Sequence, residues 1–228
     1  MATSTHTRFI ANSDDLRHVY LPDEDTYLLI DAFSTLESSP QAILEIGVGS
    51  GLVISHALQR YPEARGLGID INPYALDMAR RTAELNGVVD RLELRLESYD
   101  ELSSETFDLI LFNPPYVPSQ ERTLSELQAQ LPLDQALNGG VGGRLIIDDF
   151  LPYLPRLLSK KGRSASSASS ACSFRSLCLL LAIEANDIPN LRELCERLGL
   201  SSTILRTKRL QSERLCALQI TLATTDGK

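Results

Sequence analysis

The chain has 228 residues, of which 43% are hydrophobic, and a formal net charge of −8 at pH 7. This length and apolar content are sufficient for one domain with a full hydrophobic core. The acidic balance disfavours binding of a nucleic-acid backbone over a broad face, although a local basic patch or a basic partner would still allow it.

Cysteine and histidine usage disfavours a metal site, because the four cysteines form no C-x-x-C pair and only three histidines are present. The N-terminal residues contain no apolar stretch typical of a signal peptide. No apolar run approaches the roughly 18 residues of a membrane span. The sequence therefore predicts a soluble, intracellular protein without a membrane partner, located in the cytoplasm, with a nuclear location left open.

The first half of the chain predicts alternating helices and strands. Residues 1–19 are polar and mixed, and we expect a loose arm there, followed by one domain over residues 20–228. The segment PDEDTYLLIDAF predicts an entry helix, since its acidic residues occupy the first turn, where the helix dipole favours them. Downstream, short apolar runs predict strands, with helices after the first two, at 42–47, 66–71, 91–98 and 107–113.

In the second half, residues 145–162 predict a helix interrupted by prolines, and residues 177–185 predict a buried strand. The segment IPNLRELCERLGL predicts a helix ending at Gly199, and two final strands with a short connection predict a hairpin. The whole pattern predicts an α/β fold with a doubly wound, mostly parallel, seven-stranded sheet and a C-terminal antiparallel hairpin. The alternating strand at 91–98 is expected to be half exposed at a sheet edge.

The Ser/Ala-rich segment at 163–176 has no hydrophobic periodicity and little apolar surface to bury. It is longer than the few residues that usually join a helix to a strand. We expect a disordered, removable surface insert. Translation of non-coding sequence is the alternative interpretation, and the sequence does not separate the two.

A glycine-rich turn, LEIGVGSG, joins the first strand to the next helix. Gly47, Gly49 and Gly51 allow positive φ and close backbone approach to a ligand at the carboxyl edge of a parallel sheet. The G-x-G-x-G spacing differs from that of dinucleotide sites, and Glu45 would repel a pyrophosphate but favour a cationic group. The turn therefore predicts a site for S-adenosylmethionine, which carries an ammonium and a sulfonium group; a tight turn without a ligand is the alternative.

Asp70 ends the second predicted strand, where an acidic residue commonly accepts hydrogen bonds from ribose hydroxyls. It could instead cap the following helix. Asn72 suits the N-cap better, because Pro73 would then be the first helical residue. We therefore expect Asp70 to bind the cofactor.

The stretch LFNPPYV places Asn113 at the end of the fourth predicted strand. Pro114 and Pro115 fix φ and have no N–H, so the Asn113 carboxamide and the Pro114 carbonyl would form a rigid pair of acceptors. Two acceptors suit an –NH2 group, and the ring of Tyr116 offers a flat face for a planar group. The stretch predicts methyl transfer to an amide or amino nitrogen; a simple proline turn is the alternative.

These motifs together resemble those of the class I S-adenosylmethionine-dependent methyltransferases. LEIGVGSG, GIDINP and FNPPYV, with DEDTYLLIDA upstream and NGGVGGR at 138–144, are similar more narrowly to the HemK-like protein-glutamine N-methyltransferases that modify peptide-chain release factors. The short N-terminal arm and PDEDTYLLIDAF resemble the eukaryotic and archaeal branch of that family. The likeness covers roughly residues 19–162 and 177–222.

The resemblance implies methylation of the side-chain nitrogen of the glutamine in the Gly-Gly-Gln motif of a release factor. The substrate would be held by Asn113, Pro114, Pro115 and Tyr116. The cofactor S-adenosylmethionine would be held by Thr26, Glu45, Gly47, Gly49, Gly51, Asp70, Ile71, Ser98, Tyr99 and Asn113. Relatives commonly have Asp where Ser98 stands, so Glu97 or Asp100 is an alternative partner for the adenine amino group.

The resemblance also implies a heterodimer with a small zinc-binding activator subunit, in which any zinc lies in the partner and none in this chain. Two other activities stay open: adenine-N6 methylation of DNA or RNA, and methylation of a protein lysine or a small molecule. The first would need a basic cleft, and the acidic chain disfavours nucleic acid. The second would not need two fixed acceptors beside a planar face.

Overall fold

Seven strands in the described residues form one sheet. A computed structural model describes residues 7–37, 39–160, 175–210 and 213–224. The strands are β1 (Ala42–Ile46), β2 (Arg65–Asp70), β3 (Leu92–Leu96), β4 (Leu109–Phe112), β5 (Leu177–Ile183), β6 (Leu200–Arg209) and β7 (Arg214–Leu222). Their order across the sheet is β3-β2-β1-β4-β5-β7-β6.

The strand directions confirm the predicted fold class. Strands β1 to β5 run parallel to one another. Strand β7 runs antiparallel to β5 and pairs with β6 as the C-terminal hairpin. The half-polar strand β3 is an edge strand, as predicted, and β6 forms the opposite edge.

Helices connect the strands and cover both faces of the sheet. The described ranges contain α1 (Asp15–His18), α2 (Glu24–Ser34), α3 (Leu52–Arg60), α4 (Pro73–Leu85), α5 (Leu124–Gln128), α6 (Pro132–Leu137), α7 (Leu145–Phe150), α8 (Leu154–Leu157) and α9 (Ile188–Arg197). The sequence did not predict α5 and α6. The helix predicted at 145–162 is divided into α7, a 3-10 turn and α8, because Pro152 and Pro155 lack the N–H that would continue it. None of these helices is long and apolar enough to cross a membrane.

Alternate residues of the central strands face two separate hydrophobic cores. In β4, Leu109 and Leu111 belong to the core under α2 and α3, whereas Ile110 and Phe112 belong to the core under α7, α8 and α9. Every residue of β4 and β5 is buried, which explains their nearly continuous apolar sequences. This packing fixes the carboxyl ends of β1, β2 and β4 beside one another, where the predicted site residues lie.

Residues 7–19 pack against the domain, so the loose arm expected for residues 1–19 is wrong for this part. Asp15 of α1 is buried and forms an ion pair with Arg81 of α4, with an N–O distance of 2.8 Å. Val19 packs into a small apolar cluster with Met78. These partners lie far along the chain, so the local polar pattern did not reveal them. Residues 1–6 lie outside the described residues.

Most of the predicted Ser/Ala insert at 163–176 also lies outside the described residues, which resume at Arg175. Ser176 is buried, and its hydroxyl donates a hydrogen bond to the Ser159 carbonyl. The last residue of the tract therefore belongs to the packed domain and is not part of a removable insert.

Candidate functional site

A cavity of about 490 Å³ lies at the carboxyl ends of β1, β2 and β4. The order of the sheet changes direction at β1, and open parallel sheets bind ligands at such a point. Apart from Gly51, every site residue predicted from the sequence lines this cavity: Thr26, Glu45, Gly47, Gly49, Asp70, Ile71, Ser98, Tyr99, Asn113, Pro114, Pro115 and Tyr116. The fold thus brings the residues predicted to bind the cofactor next to residues 113–116, which were predicted to bind the substrate and are called the substrate motif below.

The cavity wall is strongly acidic. Its carboxyl groups belong to Asp25, Glu45, Asp70, Glu97, Asp100, Glu101 and Asp149, and no lysine or arginine of the described ranges lines it. Such a wall repels a phosphate and attracts a cation. In the part of the chain that the structure describes, no group of three or more His, Cys, Asp or Glu residues could hold a metal ion. The donor set therefore fits S-adenosylmethionine, which is cationic and has no phosphate.

The three glycines of the turn after β1 have different surroundings. All adopt positive φ, at 65° for Gly47, 49° for Gly49 and 73° for Gly51. No described atom lies within 4 Å of the place where a Gly47 Cβ would stand. A Cβ at Gly51 would lie 2.6 Å from the Ala79 Cα in α4. Gly51 thus lets α3 and α4 approach each other, and it is the predicted site residue that the structure does not bring to the cavity.

Asp70 ties the end of β2 to the glycine turn. Its Oδ2 accepts a hydrogen bond from the Gly49 N–H at 3.0 Å, and its Oδ1 accepts one from the Asn72 N–H at 2.9 Å. Asn72, as predicted, caps α4 by accepting from the Tyr74 N–H at 3.0 Å. The Asp70 carboxyl group is therefore not the cap of α4 and is held at the cavity wall.

Burial raises the pKa of both acids at this end of the cavity. The pKa of Glu45 is well above its ordinary value, mainly through desolvation and partly through the charge of Asp70, although the Ile54 N–H donates to Glu45 Oε2 at 2.8 Å. Desolvation also raises the pKa of Asp70, against the lowering effect of its backbone hydrogen bonds. A bound cation would favour the charged forms of both groups.

Ser98, Tyr99 and Ile71, which were predicted to contact the cofactor, line the cavity after the neighbouring strands β2 and β3. The Ser98 N–H donates to the Glu101 carboxylate at 2.8 Å, and the Tyr99 hydroxyl donates to Asp149 Oδ2 at 2.7 Å. The pKa of Tyr99 is raised by burial and by Asp149, so its hydroxyl stays protonated. Glu97 and Asp100, the predicted alternatives for the adenine amino group, also line the cavity, and Asp149 adds an acceptor that the sequence did not indicate.

Asn113 presents an unused hydrogen-bond acceptor. Its Nδ2 donates to Asp25 Oδ2 at 2.9 Å, while its Oδ1 is buried and has no hydrogen-bond partner among the described residues. A buried acceptor without a donor is costly and is rare in native structures. Since Asn113 lines the cavity, the missing donor is expected to come from a ligand.

Asp25 is a second acidic site residue that the sequence did not indicate. Its Oδ2 also accepts from the Tyr116 hydroxyl at 3.0 Å, and its Oδ1 accepts from the Thr26 N–H at 2.6 Å. An acidic residue in the first turn of a helix is already explained by the helix dipole, so nothing local marked Asp25 as different from its neighbours Asp23 and Glu24.

The loop at residues 139–143 packs directly onto the substrate motif. A Cβ at Gly143 would lie 2.0 Å from the Tyr116 carbonyl oxygen, and one at Gly139 would lie 2.5 Å from the Pro115 carbonyl oxygen. Gly139 and Gly143 of NGGVGGR are therefore required for this close backbone approach. The Asn186 Nδ2 donates to the Tyr116 carbonyl at 2.8 Å and to the Gly142 carbonyl at 2.9 Å, which joins both segments to the end of β5.

Two short helices form the remaining wall, which the sequence did not predict. The cavity is also lined by Leu124 and Leu127 of α5 and by Pro132 and Leu137 of α6. The signals for these helices are a capping box at Thr123 and Glu126 and the proline at the start of α6. This apolar wall adjoins the substrate motif.

Known proteins are similar to this chain in sequence and in fold. The profile of the methyltransferase small domain matches residues 20–167. Methyltransferase HEMK2 of Homo sapiens is 32% identical over 218 residues, which cover 89% of each chain. The release factor glutamine methyltransferase of Rhodospirillum rubrum is 35% identical over 143 residues, covering 62% of this chain and 44% of that protein.

Among solved structures, a chain of the E. cuniculi Mtq2–Trm112 complex, responsible for methylation of the eRF1 translation termination factor, has the same fold. Its TM-score is 0.63 at 24% identity, with 90% of this chain and 99% of that chain covered. The cavity described above lies at the ligand edge of this fold. The chain therefore belongs to the methyltransferase small domain family and is an S-adenosylmethionine-dependent methyltransferase.

Proposed function

We propose that this enzyme methylates the side-chain amide nitrogen of a glutamine in the Gly-Gly-Gln motif of a class I peptide-chain release factor. The observation that carries the proposal is the buried Asn113 Oδ1, which has no donor among the described residues. The names of the relatives support the same substrate class, since a release factor glutamine methyltransferase and a complex that methylates eRF1 are among them.

The unused acceptor suits an amide substrate. A glutamine –NH2 has two hydrogens to donate, and the Asn113 Oδ1 and the Pro114 carbonyl would accept one each. Both acceptors are held by the proline-fixed backbone after β4, so the nitrogen would be oriented before reaction. The ring of Tyr116 would pack on the planar amide.

The remaining cavity residues would hold the cofactor. We assign the amino-acid end to Thr26, Glu45, Gly47 and Gly49, the ribose hydroxyls to Asp70, and the adenine to a wall formed by Ile71, Ser98 and Tyr99. When bound, S-adenosylmethionine supplies a methyl group on a sulfonium, which the amide nitrogen accepts with loss of one proton. The chain's own contribution is to exclude water and to orient the nitrogen. Orientation alone can lower the activation barrier by about 7–11 kcal/mol.

The acidic wall disfavours nucleic acid as the substrate. A target adenine would bring its phosphates to a cavity that no described lysine or arginine lines. A protein loop carries no such charge, and the glycines beside the target glutamine would let the loop enter without side-chain clashes.

The substrate assignment can be tested by mass spectrometry of a release-factor domain after incubation with enzyme, cofactor and candidate activator. We expect a methyl group on the glutamine of Gly-Gly-Gln and on no lysine. A Gln→Asn variant of the substrate is the matched control, because its nitrogen lies about an ångström short and should react on the order of 10²-fold more slowly. Equal labelling of both proteins, or preferred labelling of an adenine-containing oligonucleotide, would contradict the assignment.

We also propose that the enzyme works in the cytoplasm as a heterodimer with a small activator subunit, in which any zinc belongs to the partner. Support comes from the Trm112 subunit in the E. cuniculi complex and from the edge strand β3. An edge strand offers unpaired backbone groups to another chain. Leu96, at its end, is 62% exposed.

Co-purification with a tagged activator tests this interface. Leu96→Lys should reduce the amount of activator retained and leave the fold intact, because the side chain packs little within this chain. Ile204→Lys is the matched control, since Ile204 is 45% exposed on the other edge strand, β6. A fully active monomer that purifies well alone, or equal loss of activator in both variants, would argue against an interface at β3.

A further inference from the structure

The carboxyl group of Asp25 lies where α2 meets the substrate motif. It is buried, and both oxygens accept hydrogen bonds. Oδ1 accepts from the Thr26 N–H at 2.6 Å and from the Tyr20 hydroxyl at 3.3 Å. Oδ2 accepts from Asn113 Nδ2 at 2.9 Å and from the Tyr116 hydroxyl at 3.0 Å. One side chain thus joins α2 to two of the residues assigned to substrate binding.

An asparagine carboxamide has two ends of nearly the same shape, one a donor and one an acceptor. The backbone after β4 fixes where the Asn113 side chain lies, but it does not determine which end faces the cavity. An ionised carboxylate can only accept hydrogen bonds, so Asp25 attracts the –NH2 end and leaves Oδ1 without a partner. Charge-assisted hydrogen bonds of this kind are about twice as strong as neutral ones.

Tyr116 is constrained in the same way. Burial and the charge of Asp25 raise the pKa of Tyr116, so its hydroxyl keeps its proton and directs it to Asp25 Oδ2. The ring is thereby held beside Asn113, and the hydroxyl is not available as a general base. Both substrate-facing side chains therefore have their polar ends directed by one carboxylate.

We propose that Asp25 is a positioning residue that determines the specificity of the site for hydrogen-bond donors, by holding Asn113 with Oδ1 toward the substrate. The inference rests on the proposed function, in which that donor is a glutamine amide. In this role Asp25, which also lines the cavity, acts through Asn113 and Tyr116.

The test uses the full enzyme with its activator and the release-factor domain. In Asp25→Asn, residue 25 can donate to Asn113 Oδ1 and favour the reversed carboxamide, with Nδ2 toward the substrate. We expect kcat to fall about 10²-fold, while the cofactor Kd and the melting temperature stay close to those of the wild type. Asp23→Asn is the matched control, because Asp23 is the N-cap of the same helix and has no hydrogen bond to Asn113 among the described residues. Asn is as good an N-cap residue as Asp, so this control should keep the helix start.

The reversed pair Asp25→Asn/Asn113→Asp gives the decisive comparison. The amide at residue 25 would donate to one oxygen of the new carboxylate at residue 113, and the other oxygen would again face the substrate as an acceptor. We expect the double variant to be at least tenfold more active than either single variant, a coupling that a merely structural role of Asp25 would not produce. The double variant also has the net charge of the wild type.

The outcomes separate the inference from the proposed function. If the wild type does not label the glutamine at all, the proposed function itself is wrong. If the wild type is active and Asp25→Asn keeps its kcat, or if the losses in the two single variants simply add in the double variant, the positioning role is refuted. Loss of cofactor binding in Asp25→Asn without a change in kcat would likewise refute it.

Discussion

Gly47 and Gly51, in the turn after β1, have separate roles, which substitution by alanine should distinguish. Gly51→Ala places a Cβ 2.6 Å from the Ala79 Cα and 2.8 Å from its Cβ, so α3 and α4 must move apart. Overpacking of this kind costs about 1–3 kcal/mol. The positive φ of 73° adds about 1–2 kcal/mol of backbone strain. The free energy of unfolding should therefore fall by about 2–5 kcal/mol.

Gly87→Ala is the control that measures the backbone strain of a positive φ without any overpacking. Gly87 has a φ of 68° and no described atom within 4 Å of its Cβ position, so this control should lose only about 1–2 kcal/mol. Gly47→Ala meets equally open space within this chain but lies at the cavity wall. It should lose the same strain energy and, in addition, most of its affinity for the cofactor.

Urea denaturation gives the three unfolding free energies, and calorimetry gives the cofactor Kd of each folded variant. We expect Gly51→Ala to be the least stable and Gly47→Ala to bind the cofactor most weakly. If Gly51→Ala were as stable as Gly87→Ala but could not bind the cofactor, Gly51 would be a ligand residue and the packing role given to it here would be wrong.

Four further predictions concern the site and the Ser/Ala-rich segment. Asn113→Ala should keep its cofactor Kd and lose at least about 10²-fold in kcat, whereas Asp70→Ala should weaken cofactor binding; calorimetry showing equal loss of affinity in both would reverse these roles. Because burial raises the pKa values of Glu45 and Asp70 and a cation favours their charged forms, cofactor binding should release protons and tighten as pH rises; calorimetry in buffers of different ionisation enthalpy measures the release, which Glu45→Gln should reduce. In the cofactor-free enzyme the same two groups should lower stability as pH rises from their ordinary pKa values to their raised ones, because the unfolded chain ionises them at lower pH. Deletion of residues 163–174 should keep or raise the melting temperature, since a Ser/Ala-rich segment offers little apolar surface to bury; loss of folding on deletion would show that the segment is structural.

Much of the fold was predictable because local pattern and global packing agree. Runs such as that of β5 are apolar at every position because both sides of the strand are buried, and the half-polar β3 lies at an edge. The helix start at Asn72 followed from the proline after it. These are cases in which a residue's immediate neighbours already determine its environment.

The features that escaped prediction depend on residues far apart in the chain. The role of Asp25 is set by Asn113 and Tyr116, about ninety positions later, and no periodicity connects them. The sequence did not distinguish the packing role of Gly51 from the predicted ligand role of Gly47, because the glycines of this turn belong to one motif and all have positive φ. Only the position of α4 distinguishes the two. Helices α5 and α6, of five and six residues, are too short to show a hydrophobic period.

The buried side chain of Asn186 has a consequence for the motions of the enzyme. It accepts from the Ile183 N–H at 2.7 Å while donating to the Tyr116 and Gly142 carbonyls, so the end of β5, the substrate motif and the glycine loop share one set of hydrogen bonds. A local opening of any one of these segments must break its bond to Asn186, and this couples its opening to that of the other two. In native-state hydrogen exchange, the amides of Gly139 and Leu145, which donate to the Val117 and Gly139 carbonyls, should therefore exchange at the slow rate of the β5 amides. The substrate side of the cavity would then open only with the central sheet, as one cooperative unit.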